Sequence, residues 1–191
     1  MTSARPLQRM PAEPLGWVTD TTTYTHLCRA GHQEIIAQLA PGGVVLVPTE
    51  VDVEIERGRD RYPAIPAVSS VEWARIVVLG EAELWTMLDV KAQMGGDPDE
   101  HLGECAVISC ARHRGLIALL DERAAIAQAG RLNVPVRDTL SIVVEAYKVL
   151  FGCDRARAAK VVDDLLGTEM KLPIDSGESL FSWAYEEGLL P

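Results

Sequence analysis

Two aspartates stand directly after short apolar segments that have the pattern of β-strands. Asp20 follows Trp17-Val18-Thr19, and Asp121 follows the apolar run 116–120. Because the carboxyl ends of parallel strands meet at one edge of a sheet, where α/β proteins place their sites, both side chains are expected at the same edge. Helical sequence follows each aspartate, so an ordinary helix N-cap explains either residue equally well when it is taken singly.

Two glutamates extend this acidic set. Glu54 lies in a predicted helix that leaves the second strand at the same edge, and Glu50 lies one turn earlier on that helix. We expect Glu54 to be the inward-facing residue, although a solvated acidic helix face would explain either one. Glu104 opens a helix that is otherwise almost wholly apolar. The helix dipole alone favours an anion there, but the apolar surroundings predict a position near the core.

Carboxylates that share one cleft repel one another unless a cation neutralises them. Oxygen ligands favour Mg²⁺ or Mn²⁺ over zinc, and such a cation can activate water and stabilise charge on a phosphodiester. The acidic set therefore predicts metal-dependent phosphoryl-transfer chemistry. The predicted catalytic and metal-binding residues are Asp20, Glu54, Glu104 and Asp121.

The segments that must position these acids alternate between strand and helix. Strands are predicted at residues 17–19, 44–47, 76–79, 116–120 and 134–136. Helices are predicted at about residues 24–39, 49–57, 81–94, 104–112 and 122–129, and later at 139–150, 154–166 and 178–187. This alternation predicts right-handed βαβ units, and hence an α/β fold whose mostly parallel sheet of about five strands has helices on both faces.

Length and composition limit the class of protein. With 191 residues, 48% of them hydrophobic, the chain is expected to form one domain. Residues 1–14 are predicted to be a flexible tail, residues 15–150 the α/β domain, and residues 151–191 a helical extension packed on the same domain. Neither a membrane span nor a secretory signal is predicted, so a cytoplasmic protein is expected. The net charge of −10 repels nucleic acid at long range, so any nucleic-acid chemistry needs local basic residues or metal ions.

The remaining reactive side chains carry weaker signals. The four cysteines form no C-x-x-C pair and are expected to be buried free thiols. The four histidines are scattered and are interpreted as surface residues, and the four tryptophans as core or interface packing. Arg123 is the basic residue nearest the predicted site, where either a phosphate or a neighbouring acid could be its partner. Further basic candidates are Arg57, Arg59, Arg61, Arg112, His113 and Arg114.

Four short motifs occur in a fixed order along residues 18–148. They are Asp20-Thr21-Thr22, Pro48-Thr49-Glu50-Val51-Asp52-Val53-Glu54, Gly103-Glu104 and Leu120-Asp121-Glu122-Arg123. In these motifs the sequence resembles the PIN-domain family, in particular its bacterial, toxin-type branch. The resemblance implies a PIN-like, Rossmann-like three-layer fold and a Mg²⁺- or Mn²⁺-dependent endoribonuclease that cleaves single-stranded RNA.

The resemblance also implies roles and partners. Asp20 would be the central metal ligand, with Glu54, Glu104 and Asp121 completing the shell, and Thr22 would orient Asp20 or the bound phosphate. Many members are toxins inhibited by a small basic antitoxin, so such a partner is an expectation. The helices after Lys148 could cover the sheet, bind a partner or pair two subunits, so a homodimer is a separate expectation. The sequence departs from the family pattern at Thr22, Glu122 and Asp138, and it continues beyond Lys148 without a family motif.

Two other classes of protein compete with this interpretation. The first is a non-catalytic PIN-like regulatory protein that binds a nucleotide or another protein at the same edge. It is disfavoured by the complete acidic set, because burying unused carboxylates is costly. The second is a Rossmann oxidoreductase, which is disfavoured because Asp20-Thr21-Thr22 replaces the glycine-rich phosphate turn after the first strand.

Overall fold

The computed structural model describes residues 16–191, which fold around a five-stranded, all-parallel sheet. The strand order is β3-β2-β1-β4-β5. The strands are β1 (Trp17–Thr19), β2 (Val45–Pro48), β3 (Ala74–Val77), β4 (Ile117–Leu119) and β5 (Val136–Arg137). The predicted α/β class and parallel sheet are confirmed.

Nine helices of the described residues surround this sheet. They are α1 (Thr21–Arg29), α2 (Glu34–Leu39), α3 (Thr49–Arg59), α4 (Glu81–Met94), α5 (Leu102–Arg114), α6 (Arg123–Arg131), α7 (Thr139–Val149), α8 (Arg155–Gly167) and α9 (Leu180–Glu186). The predicted helix at 81–94 matches α4, whereas α5 begins two residues earlier than expected. The earlier start places Gly103 and Glu104 together in the first turn of α5.

The order of the strands determines where a site can form. β1 lies at the centre, with β2 on one side and β4 on the other, so the chain reverses its direction of winding beside β1. In open parallel sheets, ligands bind in the crevice at the carboxyl ends of strands at this point. Asp20 directly follows β1, and Asp121 lies two residues after the end of β4, so both lie at the carboxyl ends of adjacent strands at that crevice.

Two sequence-based boundaries were wrong for local reasons. The helix predicted at 24–39 is two helices, α1 and α2, because Gly31 between them has a left-handed φ of 76° that ends the first helix. The third strand was predicted at 76–79 but lies at Ala74–Val77. β3 is an edge strand with exposed side chains at Arg75 and Ile76, so its apolar pattern is weaker than that of the inner strands.

The C-terminal helices pack on the same hydrophobic core as the sheet. Leu165 of α8 and Leu180 and Ala184 of α9 are fully buried in that core. α8 is also tied to the first helices, since Asp164 lies 2.9 Å from Nε2 of His32. Asp154 caps α8, accepting a hydrogen bond from the backbone N–H of residue 157 at 3.0 Å. The predicted tail at residues 1–14 lies outside the described residues.

Some predictions about single side chains need correction. Cys28, Cys105 and Cys110 are buried free thiols, but Cys153 is exposed because it lies in the turn before α8. Trp85 on α4 is 64% exposed, which excludes the core and leaves interface packing as its predicted role. Within residues 16–191, every helix is too short or too polar to cross a bilayer.

Candidate metal centre

Asp20 is the most deeply buried acid of the site. It follows β1 and caps α1, and its Oδ1 accepts a hydrogen bond from the backbone N–H of Thr23 at 2.8 Å. The residue is only 2% exposed, and its Oδ2 has no hydrogen-bond partner among the described residues. Capping therefore explains one oxygen of this carboxylate and leaves the other buried and unsatisfied, which is costly without a ligand.

Asp121 ends the neighbouring strand but does not cap the helix after it. The N-cap of α6 is Glu122, so the simple capping explanation of Asp121 is wrong. Its Oδ1 accepts from the backbone N–H of Thr139 at 2.8 Å, and its Oδ2 accepts from the hydroxyls of Thr139 at 2.7 Å and Thr23 at 3.1 Å. Thr23 thus contacts both aspartates and fixes one relative to the other.

Glu54, on α3, reaches the same edge through contacts with α1 and α5. The hydroxyl of Thr21 donates to its Oε2, and the backbone N–H of Gly103 donates to its Oε1 at 3.1 Å. A β-carbon at position 103 would lie 2.7 Å from that Oε2, so only glycine lets α5 approach this carboxylate so closely. Glu50 makes neither contact, and its Oε2 is buried without a partner.

Glu104 lies in the first turn of α5, next to Gly103, and links the other acids electrostatically. Burial raises its pKa above the ordinary value, and the carboxylates of Glu54 and Glu122 raise it further. Burial, the charge of Asp121 and, more weakly, that of Glu104 raise the pKa of Asp20 well above its usual range. The four predicted acids are therefore within electrostatic reach of one another, in the order Asp121, Asp20, Glu104, Glu54.

Burial also raises the pKa of Asp121, although its hydrogen bonds from Thr139 and Thr23 act in the opposite direction. Asp138 adds a nearby negative charge. This aspartate, one of the departures from the family pattern, caps α7 by accepting from the backbone N–H of Ser141 at 2.7 Å. Its presence therefore stabilises the helix that supplies Thr139 to the site.

Sequence reasoning missed His101 and Glu122 as members of the cluster. One potential ligand atom from each of His101, Glu104 and Glu122 lies within 4.8 Å of the others. The Nδ1 of His101 is 3.0 Å from Oε2 of Glu122. His101 precedes α5 with a left-handed φ of 60°, a local turn that brings its ring back towards Glu104. His101 stands three positions before Glu104, and this spacing could have indicated that the two side chains are neighbours. The helix was predicted to begin only at 104, so His101 was not included in the cluster.

Other predicted contact residues have different surroundings. Thr23, rather than Thr22, orients Asp20, because a helix-capping carboxylate reaches the backbone N–H three residues on. Thr22 instead lines a cavity with Asp121. Arg123 lines a larger cavity beside Asp121 and forms no ion pair with any described residue.

The basic residues at the end of α5 do not contact the four acids of the candidate metal centre. Arg114 binds Glu83 and the carbonyl of Val78, and His113 contacts Thr86. Arg114 lies ten positions after Glu104 on α5, so the two residues are about 15 Å apart along the helix axis. The end of α5 is thus remote from the metal centre.

Several features of the site fit a divalent cation. Among the described residues, ligand atoms within 4.8 Å of one another are found in the group His101, Glu104 and Glu122, which contains only Glu104 of the four predicted ligands. Carboxylate oxygens with one imidazole nitrogen are donors that suit Mg²⁺ or Mn²⁺. Asp20 offers a buried oxygen that no described group satisfies, and its negative charge is opposed by Asp121 and Glu104. A cation bound among these acids would satisfy that oxygen and remove the repulsion.

Comparisons with known proteins agree with the fold. A family model, DUF3368, described as a PIN domain, matches residues 16–175. A search of the curated proteins finds no match. Among solved structures, the chain is similar to the crystal structure of PAE2754 from Pyrobaculum aerophilum, at 11% identity and a TM-score of 0.48. The match covers 76% of this chain and 99% of that one.

Proposed function

Because this chain belongs to the PIN-domain family, a family of nuclease-type fold, we propose that it is a Mg²⁺- or Mn²⁺-dependent endoribonuclease. It hydrolyses phosphodiester bonds of single-stranded RNA. The observation that carries this proposal is the buried, unsatisfied Oδ2 of Asp20, whose charge is opposed by the carboxylates of Asp121 and Glu104. An unsatisfied carboxylate oxygen next to further negative charge favours binding of a cation.

The chain's own residues divide into ligands and positioning groups. Asp20, Glu54, Glu104 and Asp121 would hold the cation, which when bound supplies activation of water and stabilisation of charge on the phosphate. Thr23 and Thr139 orient the two aspartates, and Thr21 orients Glu54. The hydroxyls of Thr23 and Thr139 donate to Asp121, the hydroxyl of Thr21 donates to Glu54, and the backbone N–H of Thr23 donates to Asp20. These three acids therefore keep their geometry when they are ionised.

His101 and Glu122 extend the site towards a second cation position that shares Glu104 with the first. Support for this position is the close approach of their ligand atoms. An imidazole nitrogen is a better ligand for Mn²⁺ than for Mg²⁺, so the second position favours Mn²⁺. Loss of His101 should therefore weaken binding of Mn²⁺ more than binding of Mg²⁺.

Narrower roles are part of the proposal. The protein would act as a toxin that a small basic protein inhibits. The acidic site would accept a basic side chain of that inhibitor in place of the cation, and the net charge of −10 would attract a basic partner. A homodimer could use the exposed apolar residues of α4, Leu84, Trp85 and Leu88. We further propose that the protein works in the cytoplasm.

The test is cleavage of labelled single-stranded RNA with and without a divalent metal, for the wild type and the variants Asp20→Asn and Asp121→Asn. Loss of a direct ligand should lower the rate by more than the roughly 100-fold that removal of an outer-shell group costs. Asp89→Asn, which changes an exposed acid on α4, is the matched control and should keep full activity. Circular dichroism should show that all three variants remain folded.

Metal binding is measured on the same proteins by calorimetry, which does not depend on activity. Wild type should bind Mn²⁺, and Asp20→Asn should bind it much more weakly. Cleavage that persists in EDTA, or in both aspartate variants, would contradict the metal mechanism. A wild type that binds metal but leaves a panel of RNAs and single-stranded DNA uncut would favour the non-catalytic regulatory protein.

A further inference from the structure

A groove lies beside the metal centre, between the sheet edge and the C-terminal extension. Two adjoining cavities, of about 510 Å³ and 330 Å³, form it and share Asp121, Glu122 and Lys171 in their walls. The larger cavity is lined both by residues that follow β4, Asp121, Glu122 and Arg123, and by residues of the extension, Lys171, Leu172 and Pro173. We call this feature the extension groove. It runs directly past a predicted metal ligand.

Two cations in the groove have no acidic partner. Arg123 and Lys171 are exposed, and neither forms an ion pair within residues 16–191. Elsewhere in the structure, Arg59 and Lys160 do pair with acids. Four acids also line the groove, Asp121, Glu122, Asp138 and Glu169, so an anionic ligand would meet the two cations most favourably once a metal ion offsets these carboxylates.

The rest of the groove is partly apolar. Ile126, Leu140 and Leu172 line the larger cavity together with the two cations and the carboxylates. Apolar walls next to positive charges suit unpaired bases next to phosphates, because a duplex turns its base faces inward and offers only phosphates and groove edges. A single strand is therefore the better match to this surface.

We propose that the extension groove binds the strand of RNA that flanks the scissile phosphate, with Lys171 and Arg123 contacting its backbone phosphates. This inference rests on the proposed ribonuclease function and assigns a role to the extension. Lys171 comes from the segment after α8, outside the elements that carry the metal ligands. The extension would thus be part of the substrate site as well as part of the core.

The experiment measures equilibrium binding of a short fluorescein-labelled single-stranded RNA by anisotropy at several salt concentrations. The full chain is used with Asp20→Asn as background, so that binding is observed without cleavage. Lys171→Met is compared with Lys160→Met, which removes the same charge from an exposed lysine that pairs with Asp164 on α8. Lys171→Arg keeps the charge and tests whether charge at that position suffices.

Lys171→Met should weaken binding roughly tenfold, the value of one charge-assisted contact, and should reduce the salt slope by about 0.7. Lys160→Met should change binding less than twofold, and Lys171→Arg should retain most of it. Equal weakening by both methionine variants, or no binding of RNA at all, would overturn the proposal. If Lys171→Met alone weakens binding while the wild type cuts no RNA, the groove stands and the proposed catalysis fails.

Discussion

Two buried carboxylates in this fold, Glu83 and Asp20, have opposite surroundings. Glu83 is 7% exposed in the first turn of α4 and accepts hydrogen bonds from Nε of Arg114 at 2.6 Å, from Nη2 of Arg114 at 2.9 Å and from the backbone N–H of Gly80 at 2.6 Å. Asp20 is 2% exposed, accepts one backbone hydrogen bond to Oδ1, and leaves Oδ2 without a partner in the described residues. Both residues have little exposed surface, but only Glu83 has a positively charged partner, Arg114.

Their pKa values shift in opposite directions as a result. The hydrogen bonds from Arg114 lower the pKa of Glu83 below its ordinary value, despite its burial. Burial and the charge of Asp121 raise the pKa of Asp20. A buried acid whose cation belongs to the chain, such as Glu83, stabilises the fold, whereas a buried acid without one, such as Asp20, is a candidate ligand for the proposed external cation.

The largest effect expected from this comparison concerns Glu54 and Glu50. Both lie on α3, and Glu50 is a serious rival because its Oε2 is also buried without a partner. Only Glu54 contacts Thr21 and Gly103, so Glu54→Gln should reduce metal-dependent cleavage by roughly 100-fold or more, and Glu50→Gln by much less. Single-turnover rates with labelled RNA measure the difference. The opposite ranking would move the metal centre one helical turn along α3.

The next effect is on stability without metal. Glu83→Gln should lower the free energy of unfolding by about 1–3 kcal/mol, because it leaves Arg114 without its charged partner. Asp20→Asn should instead stabilise the metal-free protein, since it removes an opposed, partly unsatisfied buried charge. Urea unfolding in EDTA tests both variants. A destabilised Asp20→Asn protein would show that its capping bond matters more than its charge.

The smallest effect is the pH dependence of that stabilisation. A carboxyl with a raised folded-state pKa adds stability below its unfolded pKa, about 3.9, and loses it as pH rises through the folded value. The advantage of Asp20→Asn over the wild type in EDTA should therefore shrink as pH falls from 7 to 5. Thermal unfolding at each pH measures this difference.

Comparing the two proteins at each pH removes contributions that they share. Burial lowers the pKa of His26, so that residue destabilises both proteins as pH falls below about 6.5. Glu83 and Asp164 have lowered pKa values and lose their contributions only in more acidic solution, below this window. An advantage of Asp20→Asn that stays constant between pH 7 and 5 would contradict a raised pKa at Asp20.

The sequence by itself determined the class of fold and the candidate acids. Continuous apolar runs such as 116–120 indicated strands covered on both faces, and their spacing indicated a parallel sheet. Parallel strands end at one edge, so the sequence predicted Asp20 and Asp121 at the same edge, whereas the adjacency of β1 and β4 came from the structure. These inferences succeeded because each depends on local pattern and on a general rule of topology.

Only the tertiary structure decided how the acids are held and what surrounds them. Thr23 and Asp121 are separated by 98 positions, and Thr21 and Glu54 by 33, so no local pattern could pair them. The roles of His101 and Lys171 likewise depend on a left-handed turn before α5 and on where the extension folds back. Hydrogen bonds, electrostatic coupling and groove walls arise from side chains that meet across the fold, and periodicity in one segment contains no information about its partners in another.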